Sequence, residues 1–136
     1  MLEAFSTNQT IPQNGAIPLN SVVLSECDGI KLNGVSSIQF YRCGVYAVSF
    51  DFEGTPSEGG ALQIALKKDG VIQDQSTINL PLVATTVSAS GSRKTYIQVP
   101  FNKSQCKCSV PTTISFENLG VGLANADFHV TIQRVN

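Results

Sequence analysis

The sequence predicts an all-β fold, a two-sheet antiparallel sandwich of the jelly-roll kind with about ten strands. Three observations carry this. Apolar residues recur with a period of two in one short run after another, which is the pattern of half-buried strands. A sustained 3.6-residue apolar period bounded by caps is missing. Clusters of Gly, Asn, Pro and Ser separate the runs at fairly regular spacing.

The elements follow in order. A first strand is expected near Leu2 to Ser6, then the turn-rich TIPQNGAIPLN, then a strand over Ser21 to Ser25. Gly29 to Leu32 and Ser37 to Arg42 flank Asn33-Gly34, a strong hairpin dipeptide. CGVYAVSFDF, residues 43 to 52, places Tyr46, Val48, Phe50 and Phe52 on one strand face and Val45, Ala47, Ser49 and Asp51 on the other. The first set is expected in the core. Ala61 to Lys67 turns through Lys68-Asp69-Gly70 into Val71 to Gln75. Ser76 to Ser92, rich in Ser, Thr and Ala, is expected to be part strand and part long loop. Lys94 to Phe101 puts Ile97, Val99 and Phe101 on one face, with Pro100 marking an edge strand or its end. Thr112 to Phe116 is a short strand. Ala126 to Val135 closes the chain, with core-facing Phe128, Val130 and Ile132 opposed to His129, Thr131 and Gln133.

Composition narrows the function. The chain has 136 residues, a length suited to one domain over 1–136 that buries a core without staples. Its net charge is −1 with 14% charged residues, so no basic stripe is available for nucleic acid. The apolar share of 42% argues against disorder. No apolar run reaches the roughly 18 residues of a membrane-spanning helix. MLEAFSTNQT lacks the basic start and apolar stretch of a secretory signal, so a protein made in the bacterial cytoplasm and released by lysis or a carrier is expected. Asn8-Gln9-Thr10 and Asn102-Lys103-Ser104 match the glycosylation pattern, which has no role without a secretion route.

Four cysteines, Cys27, Cys43, Cys106 and Cys108, are candidates for chemistry. Cys27 and Cys43 fall at the two open ends of the hairpin, so they make the simplest disulfide pair. A bridge between Cys106 and Cys108 would be strained. A four-thiolate zinc site needs wider Cys spacing than one intervening residue. Disulfides, a metal site and free thiols all stay open. His129 is the single histidine, and no Gly-x-Ser-x-Gly elbow accompanies it. The acidic residues form no calcium loop, although Asp51 and Glu53 share a strand face. No phosphate loop or dinucleotide fingerprint is present. The chain is therefore expected to be no enzyme and to need no cofactor or metal.

Four segments line up in order: QTIPQNGAIPL, SSIQFYRCGVYAVSF, LQIALKKDGVIQDQS and TTISFENLG with ADFHVTIQRV. The second, a strand and a turn followed by Gly-x-Tyr-x-x-x-Phe, resembles the central signature of the tumour necrosis factor and complement first-component globular-head superfamily. The hairpin and the terminal Phe-x-aliphatic-x-aliphatic resemble the same superfamily, and the whole is most like short phage and bacterial surface members. The resemblance implies a ten-strand jelly roll assembling as a homotrimer about a threefold axis. It places Val45, Ala47, Ser49 and Asp51, with His129, Thr131 and Gln133, against the neighbouring chains. A small, mixed, weakly charged sheet face is itself suited to the close approach of another sheet.

The function expected is thus a non-catalytic trimeric module on a virion or particle surface, a head or tail decoration or fibre protein serving assembly or attachment alongside other virion or surface proteins. The alternative is the carbohydrate- or receptor-binding head of a bacterial or spore-surface protein, using loops 54 to 60 or 84 to 93 on a host glycan or receptor. No Gly-x-y stalk precedes the domain, which weighs against the spore filament, and the lack of Trp weighs against sugar stacking. Neither a nucleic acid nor a membrane is an expected partner.

Overall fold

The computed structural model describes residues 1–25, 29–85, 87–102, 107–108 and 112–135. Thirteen strands and no helix occur among them: β1 (Leu2–Ile11), β2 (Gly15–Ala16), β3 (Ser21–Ser25), β4 (Ile30–Asn33), β5 (Ser37–Phe40), β6 (Gly44–Pro56), β7 (Gly60–Lys68), β8 (Val71–Val83), β9 (Ala89–Val99), β10 (Phe101–Asn102), β11 (Lys107–Cys108), β12 (Thr112–Asn118) and β13 (Leu123–Arg134). They build an all-β jelly-roll sandwich. One sheet has the order β3-β1-β13-β6-β9. The other has the order β4-β5-β12-β7-β8, with β2 added to β12, and β10 and β11 form a small ribbon. All pairings are antiparallel.

The alternation in β6 and β13 decides the core. Phe50 and Phe128 enter from the five-stranded sheet and Phe116 from its partner. Their ring centroids lie 4.8 Å (Phe50–Phe116), 4.9 Å (Phe116–Phe128) and 6.1 Å (Phe50–Phe128) apart, all tilted. Such contacts add about 0.5–1.5 kcal/mol per pair beyond area burial. Tyr46, Val48, Phe52, Val130 and Ile132 are buried in the same layer. Tyr46 stacks on Phe40 at 4.6 Å and donates its hydroxyl to the Arg42 carbonyl at 2.6 Å, so its polar end is satisfied. Ile97 and Val99 of β9 are buried too.

Turn chemistry sets the register. Asp69 and Gly70 have φ of 50° and 82°, as a two-residue hairpin of the I′ kind requires. Asp69 Oδ1 also accepts from the Thr113 amide at 2.9 Å, which ties the turn to β12. Asn118 is fully buried and fully used: its Nδ2 donates to the Val121 carbonyl at 2.8 Å and its Oδ1 accepts from the Gly120 amide at 3.0 Å. That loop packs so closely that a Cβ on Gly120 would lie 2.5 Å from the Ala61 carbonyl oxygen and 2.6 Å from the Gln63 nitrogen.

The strands differ from the sequence expectation mainly in length. β1 runs on to Ile11 through a register shift between Ser6 and Gln9, with Asn8 at φ 53°. The expected loop in 76–92 shrinks to the connection between β8 and β9. β8 defeats period-two reading because Ser76, Thr77 and Ile78 are buried in succession next to a shift in the β7–β8 register. Its polar groups there are satisfied: Ser76 donates to Thr95 Oγ1 at 2.7 Å and Thr77 to the Gln73 carbonyl at 3.1 Å. Pro100 falls between β9 and β10, and β9 is an edge strand. For Phe101 only the backbone position is described.

Two substitutions test this packing. Phe50→Ala is expected to destabilise by about 3–5 kcal/mol in chemical denaturation, as for a buried aromatic. Gly120→Ala, with backbone rather than side chain in its way, is expected to lose about 1–3 kcal/mol.

Candidate functional site: the outward face of the five-stranded sheet

The face of the five-stranded sheet turned away from the core is a ladder of cross-strand rows. Directly paired residues share a face, so the registers give its content. One row is Gln133, Ala47 and Tyr96. The next is Glu3, Thr131, Ser49 and Lys94. Then come Phe5, His129, Asp51 and Ser92, and finally Asp127, Glu53 and Ser90. Val45, beside Gln98, continues the face towards Cys43.

This face is graded. Its Cys43 end is small, apolar and aromatic: Val45 and Ala47 are half-buried and Tyr96 is 61% exposed. Its other end gathers carboxylates. His129 links three strands there. Its Nε2 lies 2.8 Å from Glu3 Oε1 on β1 and its Nδ1 lies 3.7 Å from Asp51 Oδ2 on β6. Both partners are partly exposed, so the stabilisation is modest. The arrangement holds the imidazole orientation through its two nitrogens.

The seven residues singled out for a neighbour's approach, Val45, Ala47, Ser49, Asp51, His129, Thr131 and Gln133, therefore lie on one continuous face. Sequence reading missed two large side chains beside them. Phe5 is half-buried next to His129, and Tyr96 stands next to Ala47. Alternation held the signal for both: Phe5 is one step from buried Ala4, and Tyr96 one step from buried Ile97.

The face holds no nucleophile–base pair among the described residues: His129 contacts carboxylates, not a hydroxyl or thiol. Among the described residues, no three His, Cys, Asp or Glu side chains converge on a metal position. No described helix is long and apolar enough to cross a membrane.

At the pole below, Cys43 is disulfide-bonded. Cys27 and Cys106 lie outside the described residues, and Cys108 is described only by its backbone in β11. Arg134 donates to the Cys43 carbonyl at 2.9 Å and Val135 to the Val45 carbonyl at 2.8 Å, which fastens the last strand to this end. Reduction is expected to lower unfolding stability by about 2–4 kcal/mol. Denaturation with and without dithiothreitol reads the loss, and alkylation before reduction should leave Cys43 unlabelled.

No family model matches the chain, and no curated protein matches it by sequence. Solved structures do. The PRD1 vertex protein P5 superposes with a TM-score of 0.63 at 18% identity, covering 99% of this chain and 96% of that one. The globular domain of zebrafish complement 1qA protein gives 0.61 at 13% identity, over 95% and 92% of the two chains. Murine APRIL at pH 5.0 gives 0.61 at 8% identity, over 96% and 98%. The chain thus has a tumour necrosis factor-like jelly-roll fold.

Proposed function

We propose that residues 1–136 form one jelly-roll domain that assembles as a homotrimer and serves as a non-catalytic structural module on a virion surface. The observation that carries the proposal is the graded outward face. Tyr96, Ala47 and Val45 present an apolar end on the broad side of a sheet, next to small polar side chains that let another chain approach closely. A closed threefold ring pairs two different patches on each subunit, and this face runs without a break from the central strand β13 through β6 to the edge strand β9. The virion placement draws support from the similarity in fold to the PRD1 vertex protein P5.

The second reading, a receptor-binding head, draws support from the other end of the molecule. Leu82 near the end of β8 (83%) and Val87 in the connection to β9 (61%) are exposed beside a pocket of about 410 Å3. Residues 75–92 carry no charged side chain at all. Such a tip suits a protein surface better than a glycan. It lies at the Pro56 end of β6, away from the pole where Val135 meets Val45.

Ala47→Arg tests the trimer. The substitution inserts a charge into the proposed contact while leaving the core untouched. Sedimentation is expected to show a shift from three chains to one, with the far-ultraviolet β signature retained. An unchanged mass would remove β6 from any interface.

A further inference from the structure

The chain has two Asn-Gly pairs, Asn14-Gly15 and Asn33-Gly34, and the fold treats them differently. We propose that Asn33 is a site of spontaneous deamidation, that Asn14 is protected from it, and that reaction at Asn33 loosens the hairpin this residue closes. The proposal rests on neither the trimer nor the virion placement. β4 and β5 belong to the other sheet, outside the face assigned above to subunit contacts.

The reaction needs a backbone nitrogen to reach the side chain that precedes it. The Gly34 amide nitrogen attacks Asn33 Cγ and gives up its proton. The bond from Cγ to the side-chain nitrogen breaks, and ammonia leaves with that proton. The product is a five-membered succinimide ring. Water then opens the ring at one of its two carbonyls. One opening gives an aspartate. The other gives an isoaspartate, in which the main chain runs through Cβ and Cγ. One water is consumed, one ammonia is released, and nothing is oxidised or reduced. A following glycine favours closure because it has no Cβ to crowd the ring.

Three conditions at Asn33 meet that need. Asn33 and Gly34 are exposed and Val35 beside them is 65% exposed, so water reaches the pair. Gly34 lies in the turn beyond the last rung of the β4–β5 ladder, Asn33–Ser37, and its amide donates no hydrogen bond among the described residues. A Cβ on Gly34 would meet nothing within 4 Å, so the space beside it is open.

Asn14 meets the first condition and fails the others. It is exposed. The Gly15 amide, however, donates to the Pro12 carbonyl at 3.0 Å, and Gly15 pairs with Asn118 of β12. The Asn14 amide donates to the Asn118 carbonyl at 2.6 Å. A Cβ on Gly15 would lie 2.9 Å from Pro12 Cδ. Ring closure there has to break backbone hydrogen bonding that holds β2 on its neighbour.

Reaction at Asn33 has a consequence for packing. The Val35 carbonyl accepts from the Leu19 amide at 2.5 Å. Leu19 is fully buried, and so is Ile17, whose amide donates to the Phe116 carbonyl at 2.9 Å. The turn thus pins a buried segment. An isoaspartate lengthens the main chain just before Val35 and moves that carbonyl, which leaves the Leu19 amide unpaired. An aspartate keeps the main-chain spacing and only adds a negative charge at an exposed tip.

The 136-residue chain is held in warm, mildly alkaline buffer, natively and in urea. Conversion of amide to acid is followed by intact mass and peptide mapping, and isoaspartate by methyltransferase labelling. The variant is Asn33→Gln, whose longer side chain closes a six-membered ring poorly. The native protein is expected to convert at Asn33 and at least about tenfold more slowly at Asn14. Both pairs convert in urea, and native Asn33→Gln keeps its mass. The isoaspartyl fraction melts below the aspartyl fraction. Equal native rates at the two pairs, or a faster rate at Asn14, overturn the proposal. So does a native protein that stays intact while the urea sample converts at both. An isoaspartyl fraction that melts with the aspartyl one overturns the link between the turn and the buried segment.

Discussion

The antiparallel pairing of β6 with β13 at the centre of the five-stranded sheet is the constraint on which the rest depends. Ten residue pairs run from Leu123–Pro56 to Arg134–Tyr46. Because side chains alternate, this one register puts Phe50, Phe52, Phe128 and Val130 inward together and Ala47, Asp51, His129 and Thr131 outward together. A one-residue slip would exchange the two sets. The inward set meets Phe116 of the facing sheet and closes the sandwich. The outward set makes the surface from which the trimer reading follows.

Where apolar and polar residues alternate without interruption, the fold was legible in the sequence. CGVYAVSFDF and ADFHVTIQRV show a clean period of two, and the strands lie where that period puts them. The Lys68-Asp69-Gly70 turn was legible for a different reason: positive φ at two successive positions selects a narrow set of residues. Legibility failed where strands bend or change register. Ser76, Thr77 and Ile78 are buried in succession, and no period-two reading anticipates three inward neighbours. β1 looked short because the shift beyond Ser6 breaks its alternation.

The outward face was half legible. Its central residues followed from alternation along two strands. The aromatic residues beside them, and the contact of His129 with both Glu3 and Asp51, depend on which strands become neighbours. Glu3 and His129 are 126 positions apart, and only the β1–β13 register brings them together. Asn118, the buried side chain that closes the β12–β13 loop, gave no sequence signal beyond being an Asn before Leu-Gly.

A sheet with one face sealed by its own core and the other left partly apolar is the physical centre of this account. Sedimentation equilibrium of the unmodified protein over a hundredfold range of concentration tests it most directly. A mass of three 14.5 kDa chains, unchanged on dilution, is the predicted result. A single-chain mass throughout would contradict it, because Val45, Ala47 and Tyr96 would then face water.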